Sequence, residues 1–429
     1  MKLSFLRNTC QTNGILRLCM QMNGCHAFSS QHLFCMHSSS FTSYTSPLQS
    51  IPTNFHASLS SNTAASKNEE LLSTSRLGLD PHLNRFHAPI VYHERYSFAS
   101  WPRNHTFPMH KFQATADALL TRYPGSHMPR SLVHNELDFY RPLDLSQIPY
   151  NEWFPEHVIC KDYLNRFLSG TLSYEQCRHI GFREQTSKPE LIERTMLEVA
   201  GTVLTCQLAM MYGIASNVGG GTHHAWREQG AGYTIVNDLA VSANYCLNKN
   251  FAHRSLDRVL VIDCDVHQGD GTARYSSANN SEDDKLSLSS PLSGLFTLSI
   301  HCEENYPFPK ARSTYDISLP SGTNDEEYLQ ALQESVKMAL AEVRPDLVIY
   351  DAGIDVYRKD VLGKLNISEE GIRSRDRFVL DTCVTAKIPV AAVIGGGYDK
   401  DLDALGRRHA IVHEEAAYLW RKYRLFEKK

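Results

Sequence analysis

The chain is 429 residues long, enough for one large α/β domain or two average ones, with 42% hydrophobic and 21% charged residues. A formal net charge of −4 argues against an extended basic face for nucleic acid, and no apolar run reaches about 18 residues, so no membrane span is expected. The eleven cysteines are scattered without a Cys-x-x-Cys pair, which reads as reduced, mostly buried thiols in a reducing compartment and not as a disulfide framework.

Residues 1–68 contain no Asp or Glu; Glu69 is the first acid. The stretch is rich in Ser, Thr, Asn and Gln, and Lys2, Arg7, Arg17 and Lys67 are its only fixed cations. That is the composition of an organelle transit peptide, which points to a plastid or mitochondrion; the alternative is a disordered tail without an address. Residues 69–87 then read as a linker, and the folded region as 88–429. Pro89–His93 is expected to be the first strand. Glu190–Tyr212 has the length and pattern of a helix. Arg258–Asp263 (RVLVID) reads as a strand, and residues 281–294 as a polar surface loop before a second one, Leu295–His301. In Asp325–Val343 the residues Leu329, Leu332, Val336, Leu340 and Val343 keep helical spacing. Asn324 with Glu327 can cap that helix and Pro345 stops it. Asp346–Asp351 (DLVIYD) and Ile388–Ile394 (IPVAAVI) are further strands, and Arg407–Tyr423 a last helix. The strands are β-branched and apolar on both faces, as in a parallel sheet covered on both sides. The alternation predicts a three-layer α/β/α domain with a central, mostly parallel sheet.

In such sheets ligands bind beyond the carboxyl ends of the strands. Four polar motifs fall there. Asp263-Cys-Asp265-Val-His267-Gln-Gly-Asp270-Gly follows the strand Arg258–Asp263. If the extended backbone persists, Asp263, Asp265 and His267 converge on one face. Crowded carboxylates with an imidazole call for a divalent cation, with donors suited to zinc or a neighbouring transition metal. Gly219-Gly-Gly-Thr-His223-His224 presents a histidine pair that could serve as general base and general acid; taken alone, such pairs are frequent on surfaces. In Asp351-Ala-Gly-Ile-Asp355 either acid could complete a three-ligand site with an open position, and spacing does not choose between them. Gly395-Gly-Gly-Tyr398 could offer a phenol to a developing oxyanion.

Together these residues resemble the histone deacetylase family of the arginase/deacetylase superfamily. The resemblance covers roughly Pro89 to His413 and rests on GGGTHHA, the DxDxHxGDG run, AGID followed by LGKLNIS, and GGGY, in the family's order, with His105–Phe112 similar to its early His-Pro-Met segment. The Gln after the ligand His and the spacing of later motifs look closest to class IV, the histone deacetylase 11-like branch and its bacterial relatives. The resemblance implies zinc on Asp265, His267 and Asp355, with Asp355 and not Asp351 as third ligand. It implies His223 and His224 as acid/base pair, Asp263 and Asp270 as their carboxylate partners, and Tyr398 as oxyanion donor. Gly232 and Tyr233 would line the acyl-lysine tunnel with Tyr306 opposite, and Asp263, Ser299 and nearby carbonyls would hold a structural potassium ion. The implied reaction is hydrolysis of an acyl-lysine amide in a protein or peptide such as a histone tail, and the implied compartment is nuclear or cytoplasmic, against the leader. Rival readings are a small-molecule amidohydrolase acting on acetylpolyamine-like substrates, and an inactive acyl-lysine-binding scaffold. A ureohydrolase is disfavoured, because only one full ligand set is visible. There are departures: Tyr233 stands where many relatives have Phe, Gln268 replaces a second His, and the acidic rim residue of class I enzymes is not identifiable.

Overall fold

The computed structural model describes residues 86–427 except 122–125, 127–130, 252–253 and 277–291. The leader 1–68, residues 69–85 of the linker and most of the loop expected at 281–294 therefore lie outside the described residues.

In chain order the main elements are β1 (Ile90–Val91), α1 (Lys111–Leu120), α2 (Pro189–Tyr212), β2 (Ile214–Asn217), α3 (Asp238–Leu247), β3 (Val259–Asp263) and α4 (Asp270–Arg274). They continue with β4 (Leu295–Cys302), β5 (Tyr315–Leu319), α5 (Asp325–Val343), β6 (Leu347–Asp351), α6 (Glu369–Thr385), β7 (Val390–Val393) and α7 (Leu402–Lys422). The strands form one seven-stranded sheet in the order β1-β2-β7-β6-β3-β4-β5. Every ladder in it is parallel. Helices α2 and α3 pack together on one side, and α1, α7, α6 and α5 form a row on the other. This is the expected three-layer α/β/α architecture. The central strands β3, β6 and β7 are buried along their whole length, which explains why they read as continuous apolar runs.

The sequence marks several elements closely. Helix α5 begins where the cap was expected: Asn324 accepts from Glu326 N and Glu327 N, and Glu327 reaches back to Asn324 N. Helix α2 gains one residue, Pro189, at its first position, where a missing N–H costs nothing. Helix α7 starts at Leu402, five residues before the expected Arg407, with Asp401 as its cap. Gly406 obscured that start. It lies inside the helix because a Cβ there would come within 2.4 Å of the Ala114 carbonyl of α1. The first strand is shorter than Pro89–His93, since only Ile90 and Val91 pair. Two strands of the seven-stranded sheet went unread. β2 (Ile-Ala-Ser-Asn) is short and half polar, and β5 is an edge strand with alternating exposure. The seven described cysteines form no disulfide, and no described helix is long and apolar enough to cross a membrane.

Candidate active site

The sheet register places the polar residues before any side chain is considered. Asp263 ends β3 and pairs with Ser299 on β4 and with Asp351 on β6. The ends of β3 and β6 therefore lie side by side next to Ser299 of the longer β4, and the loops that follow β3 and β6 meet there.

Strand β3 stops at Asp263, and the backbone then turns, so the extended path that would have brought Asp263, Asp265 and His267 to one face does not persist. Asp265 and His267 instead meet Asp355. His267 Nδ1 lies 3.0 Å from Asp265 Oδ1 and 3.1 Å from Asp355 Oδ2. One donor atom from each of the three lies within 4.8 Å of the others, and all three residues are buried. The remaining carboxylate oxygens are fixed by backbone: Asp265 Oδ2 accepts from Gly396 N at 2.7 Å, and Asp355 Oδ1 from Val266 N at 2.8 Å. Burial and the neighbouring charge of Asp265 push the Asp355 carboxyl up to about 6. Burial opposes a charge on His267, but the two carboxylates outweigh it and raise the ring to about 10. Two buried acids thus converge on one point and force a positive charge onto the imidazole there. This donor set fits a divalent cation, which would take the place of that proton.

The unexpected neighbour is a second buried group, formed by His223, Asp263 and Asp351. Asp351 pairs in register with Asp263 but turns away from the first cluster, and neither of its oxygens has a hydrogen-bond partner. The reading that only one acid-rich set exists is thereby corrected: the parallel register of β3 and β6 creates a second one that spacing along the chain does not reveal.

His223 and His224 are both buried. Their Nε2 atoms lie 3.1 Å apart, while His223 Nδ1 lies 2.9 Å from Asp263 Oδ2 and His224 Nδ1 lies 2.7 Å from Asp270 Oδ1. Burial lowers both rings. For His223 the carboxylates of Asp263 and Asp265 outweigh it and push the ring well above its ordinary value. For His224 burial and the adjacent His223 charge hold the ring down to about 4. The two rings are thus driven in opposite directions: the carboxylates favour a proton on His223, and burial beside it disfavours one on His224.

Gly232 and Tyr233 both adopt positive φ, at 53° and 65°. A Cβ on Gly232 would come within 2.4 Å of the His224 ring, so only glycine lets this wall approach the pair. The Tyr233 ring stacks on Phe182 at 5.6 Å. The Tyr306 ring meets His224 edge-on at 4.9 Å and is 40% exposed. Tyr398 is buried, 6.4 Å from the His267 ring centre to centre, and burial and Asp355 push its phenol well above the ordinary range, so the hydroxyl stays a donor. One pocket is lined by His223, His224, Gly232, Tyr233, Asp265, His267 and Tyr398. Ser299 lies beside Asp263 with its hydroxyl 3.0 Å from His301 Nδ1. The Gln268 side-chain amide donates to Ala311 O, accepts from Ala311 N and also donates to Asp316 at 2.7 Å. It thereby ties down the segment that follows Tyr306.

The sequence reading missed two supports. Lys111 is buried, lines the pocket and donates to Gly395 O at 2.7 Å. Arg375 of α6 is wholly buried and donates to the carbonyls of Cys264, Ala352 and Gly353, joining the two loops that carry Asp265 and Asp355. Lys111 lay inside the quoted His105–Phe112 run without a role. An arginine on an amphipathic helix gives no sign of such a contact.

Comparison with known proteins agrees with this geometry. A histone deacetylase domain model matches residues 149–413. The chain is 40% identical over 328 residues to an uncharacterized protein of Picosynechococcus sp., which covers 76% of this chain and 98% of that protein. It is 35% identical over 206 residues to histone deacetylase 2 of Arabidopsis thaliana, 47% of this chain and 49% of that one. It is 29% identical over 237 residues to the acetoin utilization protein AcuC of Staphylococcus aureus, 54% of this chain and 59% of that one. The fold matches the crystal structure of an HDAC homolog complexed with SAHA, with a TM-score of 0.59 at 22% identity over 77% of this chain and 84% of that one. The chain belongs to the histone deacetylase family, a family of hydrolases.

Proposed function

We propose that the chain is a zinc-dependent hydrolase that cleaves the acyl, typically acetyl, amide of a lysine side chain in histones or other proteins and releases acetate and free lysine. The observation that carries this reading is the convergence of Asp265, His267 and Asp355 within 4.8 Å, with Asp265 and His267 lining a pocket that also holds the histidine pair and Tyr398.

Asp265, His267 and Asp355 would hold the zinc. Bound there, it supplies Lewis acidity, which lowers the pKa of a water from ~15.7 towards ~7 and polarises an amide carbonyl. His224, neutral and backed by Asp270, takes the proton of the attacking water. Tyr398 donates its hydroxyl to the oxyanion that develops on the carbonyl. The leaving amine receives its proton from the pair, in which the Asp263 and Asp265 carboxylates favour a proton on His223. Gly232, Tyr233 and Tyr306 flank the substrate's aliphatic stem. A structural potassium ion by Asp263 and Ser299 is part of the same reading.

The exposed Tyr306, whose ring meets His224, supports a peptide substrate, since a flanking chain would cover it. The similarity to AcuC supports keeping a small-molecule, acetylpolyamine-like amide as the second reading. The complete set of polar residues argues against an inactive scaffold. Within the family we place the chain nearest class IV, on Gln268 and the later motif spacing. On its acid-free leader we assign it to a plastid or mitochondrion. We expect no direct contact with nucleic acid or membrane.

The test compares wild type and Tyr398→Phe on an acetyl-lysine peptide and on an acetylpolyamine. Removing one oxyanion donor should lower turnover about 100- to 1000-fold with zinc retained. Full turnover by the variant would overturn the assignment, and activity on the polyamine alone would transfer it to the second reading.

A further inference from the structure

Tyr398 is delivered by a segment that cannot place it alone. Three glycines precede it, Gly395 at φ 56° and Gly397 at φ 158°, and glycine has little backbone preference of its own. The restraint comes from the loop after β6. Asp360 Oδ2 accepts from Tyr398 N at 2.7 Å, and Val361 N donates to Tyr398 O at 3.1 Å. Two neighbouring residues therefore grip both sides of the Tyr398 backbone. Asp360 is itself fixed, because its Oδ1 accepts from Leu362 N at 2.8 Å and from Gly363 N at 3.0 Å. Its carboxylate thus closes a tight turn with one oxygen and holds the neighbouring loop with the other.

We infer that Asp360 is a positioning residue for Tyr398, setting the place of the phenol in the pocket by holding its backbone. The inference rests on the reading that Tyr398 serves the reaction. An asparagine at this position keeps the size but cannot accept on both sides, so one of its two contacts faces an amide donor. When the tie to Tyr398 is lost, the glycines let the phenol drift, and misplacement by about 1 Å costs up to about 100-fold in rate.

The experiment is a double-mutant cycle of Asp360→Asn and Tyr398→Phe in the full chain, with kcat, KM, zinc content and thermal unfolding measured for all four proteins. The expected result is a fall in kcat of about 10- to 100-fold for Asp360→Asn, with KM within about twofold and zinc unchanged. On the Tyr398→Phe background the same change should cost less than about twofold, because the group it positions is already gone. Should Asp360→Asn not fold, the cycle is run with Asp360→Ser. Losses that multiply in the double variant, an unchanged kcat in the single one, or lost zinc would overturn the inference. A fully active Tyr398→Phe protein would instead sink the functional reading on which it rests.

Discussion

Gly232 shows how one missing side chain sets the geometry of the histidine pair. Its φ of 53° and the His224 ring, 2.4 Å from where a Cβ would stand, together exclude any larger residue. Gly232→Ala is therefore expected to lower kcat by at least about tenfold by displacing His224. Zinc content should change little, since the metal ligands lie on other loops, while the clash costs about 1–3 kcal/mol of stability. Steady-state kinetics beside metal analysis checks this, and wild-type turnover would show that the pair tolerates displacement. Among single residues, the chain itself made the ligand types legible: Asp265, His267 and Asp355 were named from motifs and the family resemblance. It did not show that Asp351 would lie against Asp263, because that contact depends on which strands are neighbours and in what register. Nor did it reveal the work of Gln268, whose partners Ala311 and Asp316 are more than 40 residues away.

At the scale of elements, the parallel sheet accounts for the site. β3, β6 and β7 are neighbours, so the loops after them share one edge; Asp265, His267 and Tyr398 line one pocket, and Asp355 from a third stretch of chain lies against His267. Strands buried on both faces announce themselves as apolar runs, and a capped amphipathic helix such as α5 is readable to the residue. β2 and β5 were not legible, because a four-residue strand and an exposed edge carry too little pattern. The early start of α7 was hidden by Gly406, which serves packing. Gly406→Ala should push α7 off α1, where the Cβ would meet the Ala114 carbonyl at 2.4 Å. The expected cost is about 1–3 kcal/mol of stability. Denaturant unfolding measures it, and an unchanged midpoint would mean that the two helices separate freely. Arg375 belongs to this scale too. Arg375→Met removes the donors shared by Cys264, Ala352 and Gly353, and should weaken zinc retention in a chelator competition more than it slows the metal-loaded protein.

For the molecule as a whole, two buried histidines outside the metal cluster, His413 and His301, each lower stability in acid. His413 is held down to about 3 by burial, with Nδ1 2.7 Å from Ser216 Oγ and Nε2 unpartnered. His301 is held down to about 4, also by burial. Unfolded, both rings take a proton near the ordinary value of 6.5, so above that pH neither affects stability. As pH falls below it the unfolded chain binds the protons first, and stability drops by about 1.4 kcal/mol per pH unit for each ring, towards its folded value. His413→Gln should therefore show a shallower loss of stability between pH 6.5 and about 4 than wild type; parallel curves would contradict the burial argument. The central claim is that Asp265, His267 and Asp355 jointly hold one divalent ion that amide hydrolysis requires. The most direct measurement is zinc per chain together with acetyl-lysine peptide turnover in wild type and Asp355→Ala. The account expects about one zinc and turnover in wild type, and neither in the variant. An Asp355→Ala protein that keeps its zinc and hydrolyses the peptide at the wild-type rate would contradict it.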